Sequence, residues 1–518
     1  MTSIAPAEPC LPSRPLAPDP FPDVNLVDRL LSEQQDLETP AATFSKHHDD
    51  GRFPDRQALY RHLIPLTRPG PGEQYAFQVE LDKCTGCKAC VTACHSLNGL
   101  DEGESWRDVG TLTGGDDDPA WQQTVTSACH HCSNPECLNG CPVGAYDKDD
   151  ETGIVRHLDD QCIGCEYCIM KCPYDVPKYS KRRGIVRKCD MCHQRLAVGE
   201  APACVQACPT SAIRIVNVDA GQSAVSFLTG APDPSLTLPT TIFNGREVPA
   251  TASPADRADL VPQPAHWPLV FMLTFTQLGI GLFTASILLP STTLACVGIT
   301  LFLGGLGLGV FHLGRPLGAW RFYLGLRTSW LSREFLVFGL VGPGLLVSGT
   351  LALLESPSLA LASLTAALGL LGVYTSVMVY ADTGRPGWAL SQTGFRFGGT
   401  VLVAFLGGLA CTGTLPPAWF AGTAAGKLGW EALGLLHAFA RDWSPSRHSA
   451  RLQLVVLKPI LIARLACGLA AILSSFVLLP AALALFITGE LLERLLFFRS
   501  VPPSKMPGPA TVAPANAH

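Results

Sequence analysis

Sixteen of the twenty cysteines fall into four groups of four between positions 84 and 208. The groups are Cys84, Cys87, Cys90 and Cys94; Cys129, Cys132, Cys137 and Cys141; Cys162, Cys165, Cys168 and Cys172; and Cys189, Cys192, Cys204 and Cys208. Three cysteines in a tight loop with a fourth one helical turn later is iron–sulfur spacing. Three thiolates wrap one face of a cubane, and the fourth swings away to ligate another cluster. Pro142, Pro173 and Pro209 follow the last cysteine of groups two, three and four, whereas His95 follows group one. Zinc sites use paired cysteines separated by a longer loop, but in groups one and three the third and fourth cysteines crowd the first pair. A disulfide framework would require an oxidising compartment and a small secreted domain. The groups are therefore expected to hold four [4Fe–4S] clusters in one domain, which makes a wire. Cys296, Cys411 and Cys467 sit in apolar runs and read as small core residues.

Because each fourth cysteine serves a partner cluster, the groups form an internal repeat. Pairing group one with group four gives Cys84, Cys87, Cys90 and Cys208 for one cluster, and Cys94, Cys189, Cys192 and Cys204 for the second. Pairing group two with group three gives Cys129, Cys132, Cys137 and Cys172 for the third, and Cys141, Cys162, Cys165 and Cys168 for the fourth. The spacing also permits two adjacent dicluster units.

Charge divides the sequence. Residues 267–518 carry 7 acids and 15 bases, which leaves 36 acids and 23 bases in residues 1–266, so an overall charge of −5 hides a strong asymmetry. The first part reads as polar and soluble, the second as membrane. A hydrocarbon core needs about 20 apolar residues per helix, and candidate spans lie near 268–290, 293–312, 335–354, 358–381, 397–414, 418–440, 458–478 and 480–498. The sixth contains Lys427 and Glu431, four apart and able to pair on one helix face; a short interfacial segment is the other reading. The fold class expected is an α+β ferredoxin-like four-cluster domain followed by an all-α polytopic membrane bundle of about eight helices. Its parts are a loosely ordered arm at 1–74, with a short helix around 24–37, the cluster domain at 75–218, a linker at 219–266, the anchor at 267–500 and a disordered tail at 501–518. Arginines crowd the loops on the side of both termini, and the opposite turns carry no Lys or Arg. The positive-inside rule then puts the cluster domain and both termini in the cytoplasm, at the inner membrane. No export signal or twin-arginine pair stands near the start. No nucleic-acid partner is expected.

Residues from about 75 to 218, through "CTGCKAC", "CIGCEYCIMKCPYDVPKY" and "RKCDMCHQRLAVGEAPACVQACPTSAI", resemble the electron-transfer B subunit of bacterial dimethyl sulfoxide reductases. Residues from about 266 resemble the family's membrane-anchor C subunit. The stretches are His266 to Leu269, Gln277, "HLGRP" at 312–316, "SWLSREF" at 329–335, "VY" at 379–380 and "GELLERLLFF" at 489–498. Together they cover about three quarters of the chain. The resemblance implies a fusion of two subunits and a separate molybdopterin-containing catalytic partner that holds the substrate-reducing site. This protein would then oxidise quinol, menaquinol being the expected one, in anaerobic respiration with dimethyl sulfoxide-like acceptors. Reverse flow to quinone from a formate- or sulfur-oxidising partner, or an ion-translocating module, are the alternatives.

Ionisable residues beside spans are costly and therefore suspect. His312 ends the second span and Glu334 starts the third. Both match, by the resemblance, the family's quinol-site His and Glu. Arg315 and Arg333 are candidates to contact the quinone headgroup or to anchor the membrane face. Arg464 and Glu490 fall within the last two spans and are expected to form a buried ion pair. No pair of histidines sits at axial spacing across two spans, so no haem is expected.

Overall fold

In this computed structural model the described residues are 60–114, 121–220, 227–441 and 444–508, with Val27, Ser32, Thr39 and Lys46 as isolated positions. Of the helix expected around 24–37, the described residues are Val27 and Ser32, both helical.

The cluster domain is organised by one ladder. Strand β1 (Glu73–Glu80) runs directly into the first cysteine group, and strand β8 (Ile213–Asp219) leaves the last. They pair antiparallel, with Phe77 opposite Ile215 and Val79 opposite Ile213. Because β1 ends just before Cys84 and β8 starts just after Cys208, this pairing lays group one against group four. Between groups one and two, β2 (Asp108–Gly114) and β3 (Trp121–Ser127) form an inserted antiparallel hairpin. The short ribbon of β4 (Tyr146–Lys148) and β5 (Val155–His157) joins group two to group three. A second ribbon, β6 (Lys178–Ser180) with β7 (Ile185–Arg187), joins group three to group four. Short helices carry or follow the cysteines: α1 (Ala89–Asn98), α2 (Glu136–Asn139), α3 (Tyr167–Lys171) and α5 (Ala203–Gln206) contain them, and α4 (His193–Ala197) starts just after Cys192.

The stretch expected as a linker is woven into this domain. Strand β9 (Ile242–Asn244) pairs parallel with β1, and β10 (Ser253–Pro254) pairs antiparallel with β2. Residues 505–508 of the expected tail also dock here. Thr111 N donates to Gly508 O at 2.9 Å, Gly508 N donates to Asp256 Oδ1 at 3.1 Å, Lys505 pairs with Asp256, and Met506 is buried in the domain core. Both segments are rich in proline and poor in periodicity, so their extended backbone left no apolar pattern to read.

Beyond the domain the protein is helical at all eight expected places: α6 (Trp267–Leu288), α7 (Thr292–Val310), α8 (Trp330–Leu353), α9 (Leu359–Ala381), α10 (Leu390–Cys411), α11 (Pro417–Ala440), then α12 (Pro445–Val455), α13 (Lys458–Ser474) and α14 (Leu479–Arg499). Of these, α12 was not expected. Among the described residues five helices, α6 to α10, are long and apolar enough by themselves to cross a membrane, and the pair α12–α13, bent by 82°, counts as a sixth if taken as one span. This is the correction to eight apolar spans: α11 and α14 are long helices whose inner faces carry charge. Helices α8 and α10 also start earlier than the apolar runs at 335 and 397, because their first turns are polar.

The charges form a closed network. Lys427 Nζ lies 2.6 Å from Glu431 Oε1 and 3.0 Å from Glu490. Arg464 Nη2 lies 3.1 Å from Glu431 and 2.9 Å from Glu490. Arg396 and Arg494 pair with Glu493, and Arg494 Nη2 also donates to Gln277 Oε1 at 2.6 Å. The expected Lys427–Glu431 and Arg464–Glu490 pairs are thus both formed, in one cluster joining α11, α13 and α14. Removing one partner of a buried pair strands the other, at a cost of about 3–5 kcal/mol. Glu490→Ala should therefore destabilise the bundle by roughly that amount, read as a lowered thermal midpoint in detergent. The Lys427→Leu/Glu490→Leu pair should recover part of the loss.

Candidate functional site

The cysteine loops share one backbone device. The second residue after the first cysteine of each group has positive φ: Gly86 at 75°, His131 at 42°, Gly164 at 68° and Met191 at 59°. A left-handed residue inside such a loop turns successive N–H groups toward a common centre, an anion-binding concavity found at many iron–sulfur sites. Several N–H groups already face sulfur. Gly164 N is 3.4 Å from Cys162 Sγ, Met191 N is 3.4 Å from Cys189 Sγ, and Ala145 and Ala212 donate to Cys141 and Cys208 at 3.2 Å.

Thiols of different groups lie near one another. Cys208 and Cys87 adjoin Cys84, Cys204 and Cys192 adjoin Cys94, and Cys129 and Cys94 adjoin Cys189. Cys129 and Cys172 adjoin Cys132, and Cys141 and Cys162 adjoin Cys165. Burial pushes the Cys94 thiol up to about 12 and the Cys172 thiol up to about 11, so bare thiols here would stay neutral.

Two buried cations fit anionic clusters better than bare thiols. Arg107 is 2% exposed, and its Nε and Nη2 have no protein partner. Cys204, Cys90, Cys189 and Cys94 surround it, and they hold it charged against the desolvation that opposes charge. Lys188, 2% exposed, faces Cys129, Cys137 and Cys189, its Nζ lying 3.7 Å from Cys129 Sγ. An unpaired buried charge is costly; a cluster with four thiolates supplies the missing counter-charge.

The domain sits on the bundle through close contacts. Lys171 Nζ lies 2.8 Å from Asp382 Oδ2, and Arg385 donates to Met170 O and Ile169 O at 3.1 Å. Ser329 Oγ donates to Gly140 O at 2.8 Å. A Cβ on Gly314 would stand 2.1 Å from Gly184 O, so only glycine permits this approach.

At this junction a cavity of about 240 Å³ contains Cys165, Tyr167, His312, Glu334 and Tyr380 on its walls. The structure thus brings His312 and Glu334 together, beside a cysteine of the fourth set. Glu334 is 4% exposed and accepts a hydrogen bond from Ser376 Oγ; Tyr167 OH donates to Val379 O at 3.0 Å. One ring nitrogen of His312 hydrogen-bonds the Cys165 backbone, and its Nε2 is buried without a partner. The two arginines do not line the cavity. Arg315 donates to Asp159 O at 2.9 Å and Arg183 O at 3.3 Å, while Arg333 donates to Arg327 O at 2.8 Å and lies over the Trp330 ring. Carbonyls of nearby turns hold both guanidinium groups outside the cavity. Tyr167, Ser376 and Tyr380 escaped the sequence reading because a lone hydroxyl within a helix has no spacing signature.

Residues 121–218 match the family described as a 4Fe-4S dicluster domain, and residues 264–418 match the DMSO reductase anchor subunit (DmsC). The B subunit of anaerobic dimethyl sulfoxide reductase from Escherichia coli (strain K12) is 40% identical over 154 residues, 28% of the present sequence and 75% of that protein. Its Haemophilus influenzae counterpart is 38% identical over 156 residues, covering 28% and 76%. This protein belongs to the family of dimethyl sulfoxide reductase B subunits. The thiosulfate reductase electron transfer subunit PhsB of Salmonella typhi is 39% identical over 149 residues, 28% of the present sequence and 77% of that one. The protein is a B–C fusion: an iron–sulfur electron-transfer subunit and its multi-pass membrane anchor in one polypeptide.

In this dimethyl sulfoxide reductase family fusion, the buried cations should set cluster potentials, since a positive charge favours the reduced, more negative state. Arg107→Met should lower the midpoints of clusters in the first two sets by about 60 mV or more, equivalent to ~1.4 kcal/mol for one electron. Lys188→Met should act on the third set. Redox titration followed by electron paramagnetic resonance reads both, and unchanged midpoints would remove the cations from this role.

Proposed function

We propose that the protein oxidises quinol in the His312–Glu334 cavity and passes electrons through four [4Fe–4S] clusters to a molybdopterin-containing catalytic partner. The observation that carries this reading is that one cavity wall holds Cys165, a thiol of the fourth set, beside His312 and Glu334. Val310 and Phe335, also on its walls, are 48% and 40% exposed on the bundle surface, which gives a lipid-soluble substrate a way in. Clusters, when bound, take up electrons one at a time.

Oxidation of a quinol releases two electrons and two protons. His312 offers a ring whose Nε2 has no partner while its other nitrogen is tied to the Cys165 backbone, the arrangement in which Nε2 can accept a proton. Glu334 supplies a second acceptor, oriented by Ser376. Tyr167 and Tyr380 narrow the cavity and exclude water. The partner is inferred from the family; the relatives, named for dimethyl sulfoxide reductase and thiosulfate reductase, differ in substrate, so the partner sets the acceptor.

Anaerobically purified protein should carry about sixteen iron atoms per polypeptide, four per cubane. His312→Ala should keep that iron and slow quinol-dependent cluster reduction about 10²-fold, as for loss of an acid–base group. Zinc in place of iron, or an unchanged rate, would sink the respective half.

The cluster domain and both ends of the bundle are placed in the cytoplasm, at the inner membrane. Arginine-rich loops on the domain's side support this. The docking of 505–508 on β2 supports an even number of crossings, with both ends of the bundle on one side. A periplasm-active reporter fused to the C-terminus should give no signal; a strong signal would reverse the orientation.

A further inference from the structure

Beside the cavity, at His312, three side chains from three different parts of the sequence converge. Glu166 comes from the third cysteine loop, His266 from the residue before α6, and His312 from the end of α7. One donor atom of each lies within 4.8 Å of the other two. The His266 and His312 rings meet edge to face, with centroids 5.3 Å apart. Neither Glu166 nor His266 has a place in the quinol chemistry described above.

We propose that Glu166, His266 and His312 form a zinc site, and that zinc bound there inhibits quinol oxidation by occupying the His312 ring nitrogen.

Two imidazoles and a carboxylate are a zinc donor set, with bonds of about 2.0–2.2 Å. Tetrahedral donors then stand about 3.3–3.5 Å apart, so small side-chain rotations close the observed spacing. The second observation is the orphaned atom. His312 Nε2 is buried without a hydrogen-bond partner, and the other ring nitrogen is held by the Cys165 backbone. That is the arrangement of a metal-ligating histidine, whose second nitrogen is fixed by a backbone or carboxylate partner. A fourth position is left for water. The nearby Arg385 does not compete for the carboxylate, because its guanidinium donates to Met170 O and Ile169 O.

The inhibitory half rests on the quinol reading; the binding half does not. The test uses the purified complex with its clusters fully loaded, so that none of the sixteen grouped cysteines offers a rival site. Zinc is titrated against a chromophoric chelator. Wild-type protein should take up one zinc that Glu166→Gln and His266→Ala each weaken about tenfold or more, by analogy with the loss of an outer-shell partner. X-ray absorption at the zinc edge should show nitrogen and oxygen ligands. Zinc should slow quinol-dependent cluster reduction in wild-type protein, and the inhibiting concentration should rise by the same factor in each variant, measured against that variant's own rate. Equal zinc affinity in wild type and both variants, or sulfur ligands, would overturn the site. Zinc bound with these ligands but without effect on the rate would overturn the inhibition alone. If wild-type protein shows no quinol-dependent reduction, the quinol reading fails while the binding arm still decides the site.

Discussion

Seven residue pairs of one antiparallel ladder, from Glu73 opposite Asp219 to Val79 opposite Ile213, hold the two ends of the cluster domain together. Loops as short as these cannot build a core of their own, since their interior is meant for inorganic matter. The ladder provides the rigid edge from which they hang. It sets group one against group four, and the ribbon of β4 and β5 then sets group two against group three. The order of the thiol sets along the domain follows from which strands hydrogen-bond. Breaking that ladder would separate cysteines more than a hundred positions apart in the sequence that the second residue of each loop, however well turned, could not reunite.

The parts legible in the sequence were those with a short-range period. Four cysteines at two- and three-residue gaps are local, and so is an apolar run long enough to cross a bilayer. His312 and Glu334 were legible as costly groups at span ends, and the fold does bring them to one cavity. What stayed hidden depended on distant partners. Strands β9 and β10 are three and two residues long, and nothing in their own sequence says that β1 and β2 will pair with them. The segment of α11 looked compromised as a span, because Lys427 and Glu431 look prohibitive until Glu490 and Arg464 on neighbouring helices meet them; that of α14 was read as a span, and the pairing of Glu493 with Arg396 stayed hidden. Arg315 and Arg333 carried the right charge for a headgroup but are held by backbone carbonyls outside the cavity. His266 and Glu166 were visible only as parts of longer motifs; their meeting with His312 joins positions 166, 266 and 312.

The contact between domain and bundle is built from two kinds of restraint. Glycines at 184 and 314 let backbones touch, which fixes distance. Lys171 with Asp382 and Arg385 with two carbonyls fix orientation. Buried ionic contacts of this kind specify geometry more than they add stability. Geometry is what an electron carrier needs, since the cavity adjoins Cys165 only while the two parts keep their registry.

The docking of residues 505–508 has a consequence for how such a protein is made. Met506 belongs to the core of the cluster domain, and Gly508 hydrogen-bonds strand β2. These residues emerge from the ribosome after every helix of the anchor. The first-synthesised domain therefore cannot be completed until the anchor has been translated. Birth order along the polypeptide makes this short segment a clasp, closed over the cluster domain only when both halves of the fusion exist in equal number.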